Sequence, residues 1–370
     1  MEAVAASARR GVLSLPHGEV RTPAFMPVGT AGFVRGITPD ELRGEIGAEM
    51  VLANTFHLWV RPGHERVARL GGLHRMMGWD GPILTDSGGF QAFSFKDKAK
   101  AKEDGVRFLS SYDRQWRFMT PEVCVEIQES LGVDVAMALD ECIEYPAKRR
   151  RVERSTARTT RWLKRCLAAR KQPERTALFG IVQGGFHEDL RRDHARELVE
   201  LDLDGYAIGG LSVGEPRERL LEMVDVTTSE LPSDRVRYLM GVGYPVDIVD
   251  AVMSGVDLFD CVLPSRTARF GYLFTDHGRM AIKHARFKED PRPVDVDPCY
   301  TLRHFSRAYL RHLHRSKDML APRLFTLHNL AFYQRLMRRI RDAIDAGPAA
   351  LVALRADAER WSGPYRETDG

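Results

Sequence analysis

The sequence predicts an α/β fold, a (β/α)8 barrel followed by a C-terminal helical subdomain. Apolar runs of strand length recur eight times, helical patterns lie between them, and each run is apolar along its whole length. Strands of that kind lie parallel and are covered by helices. Eight such units in roughly 250 residues fit a closed barrel better than an open doubly wound sheet.

Each predicted strand ends at a glycine or a polar residue and is followed by a helical pattern. The eight runs are 24–30, 50–56, 82–89, 133–141, 177–185, 205–210, 237–243 and 258–264.

The helices between the strands have their own signals. Thr38 and Thr120 each precede a proline and an acidic first turn, which is typical of a capped helix start. "HEDLRRDHARELVEL" and "PRERLLEMVDV" carry apolar residues at helical spacing. No GxGxxG opens a helix after the first strand and there is no Walker motif, so dinucleotide and P-loop sites are poorly supported.

Composition indicates an ordinary soluble globular protein, with 44% hydrophobic and 29% charged residues among 370. The N-terminus lacks the continuous apolar region of a signal peptide, and no segment approaches 18 consecutive apolar residues. We therefore expect a cytoplasmic protein without membrane contact. The five cysteines are odd in number and not closely paired, which argues against a disulfide framework.

Positive charge is concentrated in two segments. Residues 148–171 contain 11 Lys or Arg against one Glu, and residues 303–317 are also basic. Such runs are most often solvated helix faces. Two of them on one chain nevertheless make nucleic acid a candidate partner.

Polar groups gather at the predicted strand ends, where barrel enzymes build their active sites. Three carboxylates, an amide and glycine backbone suit a planar heterocycle with donors and acceptors on its edge. No His stands at these ends and no Ser lies in a GxSxG turn, which argues against a hydrolase triad. The groups are Asp86, Asp140, Gln183, Gly209, Gly210, Met240 and Asp260.

Two carboxylates acting on a glycosidic bond are a recurring arrangement, in which one attacks the anomeric carbon and the other manages the leaving group's proton. Asp260, near the end of an apolar strand, and Asp86, beside two glycines, are the candidates. For any single one of these acids, a turn cap or an ion pair is the alternative interpretation.

Six segments occur in an order that resembles the bacterial tRNA-guanine transglycosylase family. They are "LTDSGGFQ", "ALDECIEYP", "GIVQGG", "GYAIGGLSVGEP", "YLMGVG" and "DLFDCVLPSRTAR". "NTFHLWVRPG" and "SRAYLRHL" extend the similarity, which runs from about Gly18 to about Ile344.

The resemblance implies a reaction. The family exchanges guanine at wobble position 34 of tRNAs with a GUN anticodon for the 7-deazaguanine preQ1, in queuosine biosynthesis. By similarity, Asp260 is the nucleophile that attacks C1′ of the ribose to form a covalent enzyme–tRNA intermediate. Asp86 is the general acid for the departing guanine and the general base for incoming preQ1.

The resemblance also implies how the base and the tRNA are bound. Asp140 and Gln183 read the edge of the base, the Gly210 N–H is a further donor, and the Leu211 carbonyl meets the aminomethyl group. The remaining predicted contacts are Phe90 and Met240 on the faces of the ring, Ser87, and Cys142 and Val213, which match the bacterial pattern and favour preQ1 over queuine.

Arg266 and Arg269 match positions that hold the nucleotides flanking the exchanged base, with a barrel-rim salt bridge as the alternative. Tyr244 stands where relatives usually carry Lys, which removes a positive charge near the tRNA side. Relatives form homodimers, and we expect the same here.

The family's zinc motif is incomplete in this chain. Asp297 and Leu302 replace two cysteines, leaving Cys299 and His328. A structural zinc site is normally closed by four ligands, and at most three stand here. We therefore expect no zinc and expect Leu302 to pack in its place. An apolar stripe that would support this packing consists of Tyr333, Leu336, Met337, Ile340 and Ile344.

We predict a barrel over residues 1–275, a C-terminal subdomain over 276–350 and a tail over 351–370. Three other functions stay open: a non-catalytic tRNA-binding subunit, a transglycosylase acting on another nucleic acid or another deazapurine, and a metal-independent barrel enzyme for small molecules. The presence of both catalytic acids argues against the first, and the basic runs argue against the third.

Overall fold

A computed structural model describes residues 7–89, 99–110, 112–296 and 299–366. It confirms the predicted barrel, because all eight predicted runs contain strands of one parallel sheet. In chain order the barrel strands are β3 (Ala24–Met26), β4 (Val51–Asn54), β5 (Ile83–Asp86), β9 (Val135–Met137), β10 (Ala177–Val182), β11 (Gly205–Ile208), β12 (Val236–Leu239) and β13 (Leu258–Asp260).

The sheet runs in the order β3, β13, β12, β11, β10, β9, β5, β4. It is closed between its two end strands by a parallel bridge between Val28 and Leu52. The Gly29 N–H donates to the Leu52 carbonyl at 2.6 Å, and the Leu52 N–H donates to the Pro27 carbonyl at 3.0 Å.

The two-residue period of the strands decides which side chains reach the barrel interior. Leu52, Leu84, Ile181 and Leu258 belong to the apolar cluster inside the barrel, whereas their neighbours pack outward against the helices. Two residues further along the same strands, the inward positions are polar. These are Asn54, Asp86, Gln183 and Asp260.

Helices surround the barrel and continue beyond it. They are α1 (Glu41–Ile46, of π type), α2 (Thr55–Val60), α3 (His64–Arg69), α4 (Gly72–Met77), α5 (Pro121–Leu131), α6 (Arg149–Ala169), α7 (Glu188–Val199), α8 (Arg217–Thr228), α9 (Pro245–Met253), α10 (Leu263–Arg269), α11 (Tyr300–His304), α12 (Arg307–Arg315), α13 (Leu320–Ala346) and α14 (Pro348–Ser362). The predicted Thr120 cap is present, since its side chain accepts the Val123 N–H.

The described residues form three small sheets besides the barrel, and the third is a hairpin in the C-terminal region. A hairpin of β1 (Gly11–Leu15) and β2 (Gly18–Thr22) packs Leu13, Leu15 and Val20 against the inner cluster, close to the start of the strands. A three-stranded antiparallel sheet follows β5. Its strands are β6 (Ala99–Lys102), β7 (Gly105–Leu109) and β8 (Trp116–Met119).

The basic run at 148–171 forms α6, and many of its cations are paired with acids from neighbouring elements. Three of these acids are Glu103, Glu122 and Asp189, which pair with Arg161, Arg165 and Arg149 respectively. Glu141 binds two further arginines of the same helix. This helix therefore matches the alternative interpretation, a solvated face with balanced charge.

The C-terminal region is helical and packed on the barrel. The predicted boundary at residue 275 falls in the turn between β14 (Tyr272–Thr275) and β15 (Gly278–Ala281). Most of the segment predicted as a tail belongs to α14, which packs against α9. Its buried residues recur at helical spacing, at Leu351, Leu354, Ala358 and Trp361.

All five cysteines are free thiols, as their spacing predicts. Among the described residues, no helix combines the length and the apolar character needed to cross a lipid bilayer.

Candidate active site

A cavity of about 690 Å³ opens at the carboxyl ends of the barrel strands. Its wall contains most of the residues that the sequence predicts for the site, drawn from segments spread over 180 positions of the chain. The predicted residues that line it are Asp86, Ser87, Asp140, Cys142, Gly210, Leu211, Met240, Asp260 and Arg266.

Three predicted residues are placed elsewhere, and a fourth is not described. Gln183 lies just behind the wall and donates to Asp140. Val213 lies in the loop after Leu211, and Arg269 is exposed in the last turn of α10. Phe90 lies outside the described residues.

Asp260 is held by one of its two oxygens. The Tyr238 hydroxyl donates to Oδ1 at 2.6 Å, and the Gly241 N–H donates to the same atom at 2.9 Å. No hydrogen bond within the described part of the chain occupies Oδ2. Burial raises the pKa of Asp260. The carboxylate is thus fixed in orientation, with one oxygen available to a reaction partner in the cavity.

Asp86 is surrounded by neutral donors. Asn54 Nδ2 donates to Oδ2 at 2.6 Å, and the N–H groups of Gly88 and Thr55 donate to Oδ1 at 3.1 and 3.3 Å. Burial raises the pKa of Asp86 to about 7, and the negative charge of Asp260 adds to the rise. A carboxyl group with this pKa exchanges its proton readily at neutral pH.

Asp140 is buried and aligned by two side chains. Ser87 Oγ donates to Oδ1 at 2.9 Å, and Gln183 Nε2 donates to Oδ2 at 2.8 Å. Burial raises the pKa of Asp140 to about 6. A side chain at Gly89 would place its Cβ 2.4 Å from Asp140 Oδ1, so only glycine lets the loop approach this carboxylate.

A buried arginine supports the glycine loops beside the cavity. Arg191 is fully buried, and its guanidinium donates to the carbonyls of Gly185 at 2.9 Å and Gly209 at 3.2 Å. The neighbouring His194 accepts the Gln183 N–H at 2.8 Å through Nδ1. Burial lowers the pKa of His194 to about 3, so the ring is neutral and can accept this bond.

The orientation of one peptide group is fixed by Glu215. Its carboxylate accepts the N–H groups of Ser212 and Val213 at 2.5 and 2.8 Å. Because the C=O and N–H of a trans peptide point in opposite directions, the Leu211 carbonyl points away from Glu215. Leu211 itself lines the cavity.

The cavity rim carries positive charge. Arg266 lines it, and Arg35 and Arg266 add to the effect of burial in lowering the pKa of Arg269, so the three cations lie near one another. Tyr244, the residue in place of the usual Lys, also lines the cavity, and the Arg279 guanidinium lies 5.3 Å from its ring centre. A cation is therefore present beside this position.

The region of the expected zinc site offers few ligands. Cys299 Sγ lies 3.8 Å from His328 Nδ1, while His328 Nε2 donates to the Phe274 carbonyl at 2.7 Å. Leu302 is buried in the apolar core and has no ligand atom, and Asp297 lies outside the described residues. Two ligand atoms among the described residues do not fit the four-ligand set of a structural zinc.

Several groups at the site were missed in the sequence. Asn54 had a usable signal, because it follows the inward-facing Leu52 by two residues. Tyr238 lies within a predicted strand, but its contact with Asp260 depends on the register of β12 and β13. Arg191 and Glu215 gave no local signal.

Comparison with known proteins identifies the family of this chain. Residues 5–357 match the family model described as queuine tRNA-ribosyltransferase. A protein of that name from Caldanaerobacter subterraneus subsp. tengcongensis is 54% identical over 338 residues, which cover 91% of this chain and 90% of the relative.

A second relative of the same name, from Methylobacillus flagellatus, is 54% identical over 342 residues, covering 92% of each chain. A third, from Francisella tularensis subsp. novicida, is 50% identical over 341 residues with the same coverage. The chain therefore belongs to the queuine tRNA-ribosyltransferase family, whose members are tRNA-guanine transglycosylases of queuosine synthesis.

Proposed function

We propose that this enzyme replaces guanine at wobble position 34 of tRNAs with a GUN anticodon by preQ1, through a covalent bond between Asp260 and C1′ of the ribose. One observation carries the proposal. Two half-buried carboxylates line the same cavity, one anchored through a single oxygen and the other with a pKa of about 7. That pair suits a double displacement at a glycosidic carbon.

In the first step Asp260 Oδ2 attacks C1′ while the C1′–N9 bond breaks. The electron pair of that bond passes to the guanine, and protonated Asp86 donates a proton to the departing base. The products are a ribosyl ester of Asp260 and free guanine, with Asp86 left as a carboxylate.

In the second step preQ1 replaces guanine in the cavity. The Asp86 carboxylate removes the N9 proton, N9 attacks C1′, and the Asp260–C1′ bond breaks to restore both acids. Asp86 returns to its protonated form, so the cycle balances without a cofactor.

The base is recognised by groups on the cavity wall. Asp140, Gln183 and the Gly210 N–H bind its polar edge, and Met240 and Phe90 cover its faces. The orientation of the Leu211 carbonyl supports preQ1, because this acceptor suits the ammonium donor of an aminomethyl group. The remaining proposed contacts are Ser87, Cys142 and Val213.

The target nucleotide must leave the anticodon stack to enter the cavity, at a cost of roughly a few kcal/mol. Contacts between Arg266 or Arg269 and the flanking phosphates offset that cost.

We also propose that the enzyme acts as a homodimer. Exposed aromatic side chains at Tyr300 and Tyr309, in the C-terminal region, support a protein interface there.

We propose further that the C-terminal subdomain holds its fold without zinc. The buried Leu302 and the apolar packing of α13 support this view. The metal content of the purified enzyme, measured after dialysis against a chelator, tests it. A folded, active and zinc-free protein is expected, whereas stoichiometric zinc whose removal unfolds the protein would contradict it.

The function is tested by incorporation of labelled guanine into an unmodified GUN-anticodon tRNA. We expect incorporation by the wild type, competition by unlabelled preQ1 but weak competition by queuine, and no incorporation by Asp260→Asn. Failure of a folded, tRNA-binding wild type to incorporate guanine would favour a non-catalytic subunit or another nucleic acid substrate. Efficient exchange of queuine without exchange of preQ1 would contradict the assignment of the base.

A further inference from the structure

The three-stranded sheet after β5 has two different faces. Its inner face is apolar and packed, with Val106, Phe108 and Met119 fully buried. The Phe108 ring lies 4.8 Å from that of Phe56 in α2. The sheet is thus anchored to α2, whose first residue, Thr55, is hydrogen bonded to Asp86.

The outer face is exposed, basic and aromatic. The strand register places Lys100 opposite Arg107, and Arg107 opposite Phe118. The two-residue period adds Lys102 and Trp116 to the same face. All five side chains are exposed, with Trp116 at 44% and Phe118 at 40%. We call this set the sheet platform.

Two acids beside the sheet platform are bound by cations that lie outside it. Glu103 is held by Arg158 and Arg161 of α6, and Asp113 is held by Arg117. Within the described residues, no ion pair engages the three cations of the platform. The Arg107 guanidinium instead lies 4.6 Å from the centre of the Trp116 ring.

The platform is continuous with the catalytic cavity. His57 lines that cavity, and its Nδ1 lies 3.0 Å from the hydroxyl of Tyr112. Tyr112 is exposed and lies in the turn that leads into β8, where Trp116 is the first residue. The cavity wall is therefore connected, through His57 and Tyr112, to the turn that precedes Trp116.

We propose that the sheet platform binds the anticodon arm of the substrate tRNA beside the nucleotide in the cavity. Exposed rings next to unpaired cations are the arrangement on which single-stranded nucleic acids stack their bases and rest their phosphates. The proposal rests on the proposed function, because it takes the RNA to be a tRNA whose anticodon nucleotide occupies the cavity.

The affinity of the full-length enzyme for an unmodified GUN-anticodon tRNA transcript tests the platform. We expect Trp116→Ala to raise the Kd about tenfold, since each stacked base contributes substantially, whereas Trp116→Phe keeps a ring and stays close to wild type. The double variant Lys100→Gln/Arg107→Gln is expected to weaken binding. It should also reduce the slope of log K against log salt by about 1.4, or about 0.7 for each lost phosphate contact.

A matched control carries the same charge change at the other end of the barrel. Lys171 and Arg175 are exposed in the segment between α6 and the start of β10, which lies opposite the cavity. Lys171→Gln/Arg175→Gln is expected to leave the tRNA Kd within twofold of wild type. Thermal unfolding of each variant verifies that it is folded.

A tRNA Kd within twofold of wild type for both Trp116→Ala and Lys100→Gln/Arg107→Gln would overturn the platform. An equal loss in the control double variant would also overturn it, because the effect would then be one of overall charge. The tRNA Kd is measured without base exchange. Absence of base exchange would therefore refute the proposed function, while the Kd values would still test the platform.

Discussion

Strands β9 and β13 each have a carboxylate near both ends, and the hydrogen-bond partners of these carboxylates differ between the two ends. Asp134 and Asp257 precede the strands at the end of the barrel opposite the cavity, whereas Asp140 and Asp260 are at the cavity end. All four are buried or half-buried, and an unpaired charge in such a place is costly. The difference lies in the groups that hold them.

At the end away from the cavity the partners are basic side chains. Asp134 is hydrogen bonded by His17 Nδ1 at 2.8 Å and His74 Nε2 at 3.1 Å, and Asp257 binds Arg9 Nε at 2.9 Å. Burial alone would raise the pKa of Asp134, but hydrogen bonds from these two histidines and a backbone N–H lower it.

At the cavity end the partners are neutral. Hydroxyl, amide and backbone N–H groups hold Asp86, Asp140 and Asp260, and burial raises the pKa of each. Carboxylates at one end of the barrel therefore stabilise the fold, while those at the other are kept in a costly state that suits chemistry. Four predictions follow this contrast, from the largest expected effect to the smallest.

Asp260→Asn removes the proposed nucleophile and nothing that stabilises the barrel. We expect base exchange to fall by at least about 1,000-fold, with tRNA affinity and thermal stability retained or improved. Single-turnover exchange with labelled guanine measures this loss. Exchange within tenfold of wild type would place the nucleophile elsewhere.

Asp257→Ala is the matched change at the other end of the same strand. It removes the partner of Arg9 and leaves the buried Arg237 N–H without its acceptor, which lies at 2.7 Å. We expect the free energy of unfolding to fall by about 3 kcal/mol and kcat of the folded enzyme to stay within twofold of wild type. Denaturant titration and steady-state exchange measure the two quantities. A stable variant without exchange activity would reverse the roles assigned to the two ends.

Tyr238→Phe tests the role of a neutral donor to Asp260. The ring is kept, but Asp260 Oδ1 loses its hydroxyl and retains the Gly241 N–H. We expect kcat to fall about tenfold with unchanged tRNA affinity, in the range of a lost hydrogen bond to a charged group. Because the Tyr238 bond lowers the pKa of Asp260, the acidic limb of the pH–rate profile should move to higher pH. An unshifted limb would contradict a direct effect on this carboxylate.

The smallest effect is a difference in how stability depends on pH. The pKa of Asp140 is raised to about 6, so the folded state binds more protons than the unfolded state between pH 4 and 6. Removal of this group in Asp140→Asn should therefore raise Tm relative to wild type progressively over that range, by about 2 °C, and no further above it.

Asp134→Asn should show the opposite sign. The lowered pKa of Asp134 contributes stability above its ordinary pKa, and that contribution is lost as the pH falls through the lowered value. The variant should be less stable than wild type at pH 7, with a gap that closes below pH 4. Scanning calorimetry of the two variants across pH 3–8 provides the comparison, and the same sign for both would refute it.

Much of the fold could be predicted from the sequence because local patterns determine it. Eight apolar runs located the strands, and the polar residues that end them located the cavity. The partners of the four acids could not be predicted in the same way. His17 meets Asp134 across 117 positions, and Tyr238 meets Asp260 only through the register of two strands.

Charge illustrates the same limit. The basic run at 148–171 suggested a nucleic acid surface, but its cations meet acids such as Glu103 and Asp189 that come from other parts of the chain. The sheet platform has only three cations, which lie in a short segment, and the sequence did not predict it. Exposed, unbalanced charge is a property of the folded surface, so a count of basic residues along the chain did not reveal it.

The most direct test is whether a carboxylate of the enzyme becomes covalently attached to tRNA, and which one. Wild-type enzyme is mixed with a GUN-anticodon tRNA, quenched with acid and denaturant, digested with nuclease and protease, and analysed by mass spectrometry. We expect a ribonucleotide adduct on Asp260 that is absent from Asp260→Asn. An adduct on Asp86, or base exchange by an enzyme that forms no adduct on any residue, would contradict it.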